Sequence, residues 1–269
     1  MDDLLWQHLH HLPAFRALLR AVEARFYAGL PLPRPALDLG CGDGHFASVA
    51  FDGPLEAGLD PWWGPLIEAR DRSAYRVLAQ AVGARMPYPD GYFATVVSNS
   101  VLEHIPQVQP VLAEVARVLQ PGGRFYFCVP GPNFLPFLSI GRALDRLCQL
   151  ANLPTCRLAD LYRRFFNRIS RHYHCDGAEV WERRLEAAGL RLARWWPYFS
   201  RRALTALEWG HYLGLPSLVC KKLTGRWVLW PSRVNLWLTE RLVRPLYQEI
   251  RSLGSAGAYL FFVARKEEV

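Results

Sequence analysis

The chain has 269 residues, of which 51% are hydrophobic, 21% charged and 13% aromatic. These proportions are typical of a folded globular protein and exclude disordered, collagen-like and low-complexity chains. The net charge is +8, and residues 157–251 hold 18 Lys and Arg against 8 Asp and Glu. We therefore expect this segment to meet something anionic, such as lipid headgroups, nucleic acid or an acidic substrate.

The six cysteines have no spacing typical of a zinc site or a disulfide framework, which indicates a reducing compartment and no structural metal. No run of 18 or more uncharged apolar residues is present. Asp2 and Asp3 stand where a signal peptide would carry Lys or Arg. We therefore expect a cytoplasmic protein that does not span a membrane.

In chain order, residues 1–30 are predicted to form a helical cap, because Leu and Phe recur there at helical spacing. Apolar runs at 36–39, 55–59, 77–82, 94–98 and 124–129 are typical of buried parallel strands. A helix is predicted at 110–119, and Asp176 is expected to cap another that ends at Gly189. Two further strands are predicted at 190–198 and 256–264, which brings the number of predicted strands to seven.

This alternation predicts an α/β fold with a doubly wound, mostly parallel, seven-stranded sheet. We interpret residues 1–269 as a single domain with a core at 32–130. Helical inserts are expected after the fifth and sixth strands, at 131–175 and 199–253. Because ligands bind beyond the carboxyl ends of parallel strands, we expect the inserts to form a lid over the substrate.

The segment Asp38–Gly44, which reads DLGCGDG, directly follows the first predicted strand. Its alternating glycines allow a sharp turn and a close approach of the backbone to a ligand. Asp60 ends the second predicted strand, where a carboxylate can accept hydrogen bonds from both hydroxyls of a ribose. The pair predicts a nucleoside-bearing ligand, and the glycine spacing disfavours NAD and ATP.

Five segments in order resemble the class I S-adenosylmethionine-dependent methyltransferases, and among them the type-11 group that includes the ubiquinone and menaquinone methyltransferases. The likeness covers residues 32–130. The segments are 36–46, Leu59-Asp60, ARMPYPDGYF at 84–93, VVSNSVLEHI at 96–105 and LQPGG at 119–123. The resemblance implies a Rossmann-like methyltransferase fold and S-adenosyl-L-methionine as the cofactor.

The resemblance also implies roles for ten residues around the cofactor. Gly40, Cys41 and Gly42 would meet its methionine part, and Asp38 would hold the ammonium. Asp60 would bind the ribose, Trp62 would flank the adenine, and Arg85 and Met86 would lie beside the adenine. Asn99 and Ser100 would lie near the methionine carboxylate and the sulfonium. Val82 stands where many relatives have an Asp that reads the adenine amino group, so that side-chain contact is lost.

His104 is the candidate catalytic residue, because it follows the fourth strand and its ordinary pKa suits the removal of a proton from an acceptor. The alternative is that Glu103 and His104 only cap and pack the next helix. His172 and His174 form an H-x-H pair without a third ligand at recognisable spacing, so we predict no metal site.

The favoured function is methyl transfer to a small or lipid-like acceptor. Seven of the ten tryptophans lie in the C-terminal half beside the basic surplus, and Trp with Arg is typical of a peripheral contact with a membrane. The alternative is that the tryptophans are core of the insert and the arginines its solvated face. A nucleic-acid methyltransferase is the less favoured alternative, because residues 99–102 lack the motifs that base methylation uses. A non-catalytic scaffold that binds the cofactor is the other.

Overall fold

The computed structural model describes residues 3–153, 156–249 and 256–268. Residues 1–2 of the predicted cap, 154–155 of the first insert and 250–253 of the second insert therefore lie outside it. The chain divides into two compact units. The first unit consists of residues 1–23, 132–172 and 197–259, and the second of residues 24–131, 173–196 and 260–269. Most of the predicted cap and of both predicted inserts thus folds into the first unit. A single domain with a lid over the cofactor stays a prediction.

A seven-stranded sheet confirms the predicted fold class. Its strands are β1 (Ala36–Leu39), β2 (Leu55–Asp60), β3 (Tyr75–Gln80), β4 (Phe93–Asn99), β5 (Leu119–Pro130), β6 (Leu190–Tyr198) and β7 (Tyr259–Lys266). They lie in the order β3-β2-β1-β4-β5-β7-β6, and β3-β2, β2-β1, β1-β4 and β4-β5 pair in parallel. The strand order reverses between β1 and β4, where open α/β sheets bind ligands at the carboxyl edge.

Twelve α-helices lie in the described part of the chain. They are α1 (Leu4–Leu9), α2 (Ala14–Tyr27), α3 (His45–Ala50), α4 (Trp63–Asp71), α5 (Gln109–Val118), α6 (Phe134–Phe137), α7 (Ser139–Leu150), α8 (Arg157–Ser170), α9 (Ala178–Glu186), α10 (Arg201–Leu213), α11 (Leu215–Thr224) and α12 (Arg233–Gln248). A 3-10 turn at Leu102–His104 follows β4. Helices therefore occupy the segments that the sequence pattern assigned to them.

Several predicted boundaries are wrong in detail. The N-terminal helix is two helices, because Pro13 precedes α2 and has no N–H with which to continue α1. Strand β3 begins two residues before the predicted run at 77–82. The N-cap of α9 is Gly177 rather than Asp176. Asp176 instead accepts a hydrogen bond of 2.7 Å from Arg184, which holds its carboxylate away from the helix N–H groups.

The core of the second unit lies between the sheet and the helices that cover it. Phe127 of β5 stacks on Phe125, with ring centroids 4.8 Å apart, and on Phe262 of β7, with centroids 4.7 Å apart. Trp181 of α9 is fully buried against the same rings. Aromatic burial on this scale fixes β5 and β7 together, and β5 in turn pairs with β4, whose carboxyl end carries Asn99.

In the first unit, a buried carboxylate joins three helices. Glu208 of α10 accepts hydrogen bonds from the N–H of Ser139 at 2.5 Å, the N–H of Ile140 at 3.1 Å and the hydroxyl of Tyr162 at 2.5 Å. The N–H groups of Ser139 and Ile140 lie at the start of α7, where backbone N–H groups have no partner within the helix. The helix dipole also favours a negative charge at this end. Burial raises the pKa of Tyr162 far above its ordinary value, and the hydrogen bond to Glu208 raises it further.

The expectation that the cysteines stay unpaired is wrong for one pair. Cys148 of α7 and Cys156, the residue before α8, form a disulfide with their Cα atoms 5.7 Å apart. Their eight-residue separation has no diagnostic value by itself. The pairing follows from the packing of α7 against α8, which brings the two residues within the Cα distance that a disulfide requires.

Among the described residues, the structure contains no helix that is both long enough and apolar enough to cross a membrane.

Candidate cofactor site

The glycine loop turns over the end of β2. The N–H groups of Gly40 and Cys41 both donate to the carbonyl of Leu59, at 2.7 and 3.0 Å. Gly40 has a φ of +77°, and a Cβ at this position would lie 2.5 Å from both γ-carbons of Val101. A stiff β-branched neighbour cannot move aside by rotating its end, so Gly40 is required by the protein's own packing.

Gly42 differs from Gly40 in what surrounds it. Its φ of +53° is also left-handed, but a Cβ here would meet no heavy atom within 4 Å. The backbone at Gly42 therefore borders open space, which a ligand can occupy.

The carboxylate of Asp60 holds the loop to the second strand. One oxygen accepts the N–H of Gly42 at 3.0 Å, and the other accepts the N–H of Trp62 at 2.9 Å. Only 7% of Asp60 is exposed. An ionised carboxylate has about four acceptor positions, so two remain for hydroxyl donors from a ligand.

Asp38, near the end of β1, is 3% exposed and accepts a hydrogen bond of 2.7 Å from the hydroxyl of Tyr75 at the start of β3. Burial, followed by the charge of Asp38, raises the pKa of Tyr75 well above its ordinary value, so Tyr75 remains a hydrogen-bond donor. Burial, followed by Asp38 and Asp60, also raises the pKa of Cys41 far above its ordinary value. The Cys41 thiol therefore stays neutral and is not a thiolate nucleophile.

Asn99 is the last residue of β4 and Ser100 follows it, next to β1 and its glycine loop in the sheet order. The Oδ1 atom of Asn99 accepts hydrogen bonds from the hydroxyl of Tyr27 at 2.8 Å and from the thiol of Cys128 at 3.2 Å. Ser100 has a φ of +52°, and its N–H donates to the carbonyl of Cys128 at 3.1 Å. A left-handed serine at the carboxyl edge of the sheet is a strained conformation of the kind that clusters at functional sites.

The residues predicted to flank adenine differ in exposure. Trp62 is 71% exposed, and Arg85 and Val82 are also exposed, whereas Met86 is 4% exposed. The N–H of Met86 donates to Glu114 at 2.7 Å, and its carbonyl accepts from Arg117 at 3.0 Å. The backbone N–H of Met86 is thus already used within the protein, which leaves its thioether side chain and the exposed Trp62 for adenine.

Arg117 of α5 fixes the segment that carries Arg85 and Met86. Besides Met86, its guanidinium donates to the carbonyl of Tyr88 at 2.8 Å and to the carboxylates of Glu114 and Asp90 at 2.6 Å. Hydrogen bonds from Arg117, together with the N–H of Met86, hold the pKa of Glu114 below its ordinary value. The sequence analysis did not identify Glu114 or Arg117, because neither belongs to a recognisable motif.

His104 lies at the end of the 3-10 turn, and 42% of its side chain is exposed. Its Nε2 atom is 3.9 Å from Oε1 of Glu103, whose side chain is 1% exposed. The carbonyl of Glu103 accepts the N–H of Tyr173 at 2.7 Å, which fixes the turn. The imidazole of His104 is therefore half-exposed and lies beside a buried carboxylate.

The two histidines of the H-x-H pair have separate environments. His172 contacts the ring of Phe134 edge-on within the first unit, with centroids 4.9 Å apart. His174 of the second unit places Nε2 2.9 Å from the carbonyl oxygen of Ile105, and its ring packs against Trp181. Each ring therefore has a structural contact of its own.

The structure brings the glycine loop, Asp38, Asp60, Asn99 and Ser100 to neighbouring strand ends at one edge of the sheet. Their predicted contacts with a cofactor stay predictions, as does the catalytic role of His104. Two residues that position this group were not found from the sequence: Tyr75, which binds Asp38, and Tyr27, which binds Asn99. Each lies at least 37 residues from its partner, so no local pattern marks it.

Comparison with known proteins supports the resemblance. Residues 37–127 match the profile of the family described as a methyltransferase domain. The ubiquinone biosynthesis O-methyltransferase of Vibrio atlanticus is 30% identical over 118 residues, which cover 39% of this chain and 47% of that protein. The 27-O-demethylrifamycin SV methyltransferase of Amycolatopsis mediterranei is 33% identical over 154 residues, which cover 49% of this chain and 56% of that protein. The chain thus spans about half the length of the curated relatives it matches.

A likeness between structures extends further along the chain. A SAM-dependent methyltransferase of Thermotoga maritima, described as a possible histamine N-methyltransferase, superposes with a TM-score of 0.53 at 15% sequence identity. The match covers 97% of this chain and 93% of that one. At this identity the likeness shows the fold alone, and it confirms the Rossmann-like methyltransferase fold.

The two glycines are expected to respond differently to the same substitution. Gly40→Ala should lower the free energy of unfolding by more than the ~1–2 kcal/mol that a left-handed backbone costs an L-residue, because its Cβ also collides with Val101. Gly42→Ala, the matched control, should lose only that backbone cost. Urea denaturation of both variants checks this. Equal losses would contradict the packing role of Gly40.

The depressed pKa of Glu114 predicts a pH-dependent contribution to stability. A carboxyl group with a lower pKa in the folded state stabilises the protein above its unfolded pKa, near 4.5, and loses that contribution as the pH falls through the folded pKa. Glu114→Gln should therefore be less stable than wild type at neutral pH, with a difference that shrinks below pH 4.5.

Denaturation curves over a pH series measure that difference. Glu182→Gln, which changes an exposed carboxylate on α9, is the control and should leave the curve almost unchanged. A stability difference for Glu114→Gln that stays constant with pH would show that its carboxylate charge is not involved.

Proposed function

Because residues 37–127 match a methyltransferase domain, we propose that this chain transfers a methyl group from S-adenosyl-L-methionine to a small or lipid-like acceptor. The observation that carries the proposal is the position of Asp60. Its buried carboxylate is bonded to the glycine loop and to Trp62, and it keeps acceptor positions for a ribose.

The residues present fit this cofactor. The open space beside Gly42 suits its methionine part, whose ammonium would lie toward Asp38. The two remaining acceptor positions of Asp60 suit the ribose hydroxyls, and the exposed ring of Trp62 can cover the adenine. When bound, the cofactor supplies an electrophilic methyl group on a sulfonium. The chain's own contribution is to hold the reacting groups in line and to exclude water.

We assign to His104 the role of accepting a proton from the acceptor. The buried carboxylate of Glu103, 3.9 Å away, would stabilise the imidazolium that results. The half-exposed ring is accessible to an acceptor, which a purely structural histidine need not be. Transfer of a proton from the acceptor to Nε2 of His104 would raise the nucleophilicity of an acceptor hydroxyl or activated carbon.

The lipid-like class of acceptor is supported by two observations. One relative is named for ubiquinone biosynthesis and another for methylation of a demethylrifamycin. Residues 157–251 combine the surplus of Lys and Arg with seven tryptophans, which is typical of a contact with a membrane interface. A cytoplasmic enzyme that acts at the membrane periphery fits both the acceptor class and the basic surplus. Nucleic acid is the less favoured acceptor, and residues 99–102 lack the motifs for base methylation.

Cofactor binding tests the role of Asp60. Asp60→Asn keeps one acceptor oxygen for the loop but loses the charge, so affinity for S-adenosylhomocysteine should fall by ~1.5–3 kcal/mol. Calorimetry would also measure the 2′-deoxyribose analogue. The loss should be smaller for this analogue, because it lacks one of the hydroxyls that Asp60 is proposed to bind. Equal losses for both ligands would remove Asp60 from the ribose contact, and no binding to wild type would overturn the methyltransferase proposal.

Methyl transfer tests the role of His104. His104→Ala should lower turnover ~100-fold or more, the scale of general acid–base catalysis, while affinity for S-adenosylhomocysteine stays nearly unchanged. Turnover would be measured as transfer of labelled methyl from S-adenosylmethionine into the solvent-extractable fraction of a cell extract. If His104→Ala lowers the melting temperature and the activity together, the result would support the packing role of His104. Label found only in the aqueous fraction would exclude a lipid-like acceptor.

A further inference from the structure

Helix α12 is apolar on two opposite sides. Because successive helical residues are 100° apart, the buried Leu236, Val243 and Tyr247 lie within ~20° of one line along the helix. On the other side lies a second apolar row, which we call the outer stripe. It consists of Val234, Trp237, Leu238 and Leu242.

The outer stripe is exposed. Val234 is 90% exposed and Leu242 65%, while Trp237 and Leu238 are more than half exposed. A helix that needed only to pack into the first unit would carry polar residues on this side. The exposed row of apolar side chains therefore needs an explanation outside the described fold.

The segment before α12 extends this apolar surface. Trp230 is 73% exposed, and its carbonyl accepts a hydrogen bond of 2.9 Å from the side-chain amide of Asn235 in the first turn of α12. Trp230 is thereby fixed next to the start of the helix. Helix α11 has no buried residue at all and also exposes apolar side chains, which are Leu215, Leu218, Val219 and Leu223.

Positive charge accompanies the apolar surface. Residues 215–249 contain six Lys and Arg against two Glu. Arg241 lies in the outer stripe itself and stacks over Trp237, with 5.3 Å from its guanidinium carbon to the ring centroid. Two further cations, Lys222 and Arg226, are exposed at the end of α11.

This combination favours one kind of partner. Tryptophan and leucine enter the headgroup boundary of a bilayer, and Lys and Arg contact anionic headgroups while their alkyl stems cover apolar surface. A second copy of this chain would bring the same positive charges together, which opposes association. We infer that α11, α12 and the segment between them dock on an anionic membrane surface, with the outer stripe in the headgroup boundary. The inference does not depend on methyl transfer.

Vesicle co-sedimentation of the full chain tests the inference. Binding should be weak on phosphatidylcholine alone, rise when phosphatidylglycerol is added, and fall with salt. Lys222→Gln with Arg226→Gln should weaken binding ~5-fold for each charge removed, the fold-change that corresponds to ~1 kcal/mol. Trp237→Ser with Leu238→Ser should weaken it ~10-fold or more, because apolar area no longer leaves water.

The matched control replaces two exposed apolar residues of α8, as Leu161→Ser with Phe165→Ser. These side chains are 57% and 50% exposed, close to the values of the α12 pair, so the control should bind vesicles as wild type does. Melting temperatures of all three double variants would exclude loss of folding.

Three results would overturn the inference. They are no binding to any vesicle, an equal loss in the α8 control, and binding that ignores both phosphatidylglycerol and salt. Light scattering adds a fourth. If wild type forms a dimer that Trp237→Ser with Leu238→Ser dissociates, a second copy covers the stripe and the membrane assignment is wrong.

Discussion

The carboxylate of Asp60 connects the parts of the second unit on which its candidate chemistry depends. It accepts the N–H groups of Gly42 and Trp62, and thereby ties the loop after β1 to the start of α4. Because β1 and β2 run in parallel, both strands end at the same edge, and a single short acidic side chain can bridge them. The carboxylate is buried, and these two backbone N–H groups stabilise it there.

Other polar groups at this edge follow the same principle. Asp38 is held by Tyr75, and Asn99 by Tyr27 and Cys128, so each polar side chain at a strand end has a neutral hydrogen-bond donor. The same surroundings keep Cys41 and Tyr75 protonated, since burial and nearby carboxylates disfavour more negative charge. The carboxylates that the strand ends bring together thus also keep their neighbouring thiol and phenol protonated.

The first unit is stabilised in a different way. Glu208 neutralises the start of α7, and a disulfide joins α7 to the residue before α8. Besides these links, α7 and α8 leave apolar side chains exposed. Helices α11 and α12 do so as well, in a part of the chain that is rich in Trp and Arg. Uncovered apolar surface in a stable unit is typical of interaction rather than of incomplete folding.

The sequence by itself determined the α/β class, the seven strands with boundary errors of up to five residues at the start of β5, and the glycine loop with its acidic partner. These features depend on the local periodicity of apolar residues, on glycine's access to left-handed backbone and on an acidic residue at the end of the second strand. Each of them can be recognised from neighbouring residues in the sequence. The sequence did not show that Gly40 packs against a neighbour while Gly42 borders open space, because this difference depends on where Val101 lies.

Only the tertiary structure decided the partners of the buried polar groups. Tyr75 with Asp38, Tyr27 with Asn99 and Glu208 with Ser139 are separated by 37, 72 and 69 residues, and no local pattern encodes such contacts. The Cys148–Cys156 disulfide likewise follows from how α7 packs on α8. The exposure of one side of α12 has the same origin, because a sequence shows that a helix is apolar on two sides but not which side the fold covers.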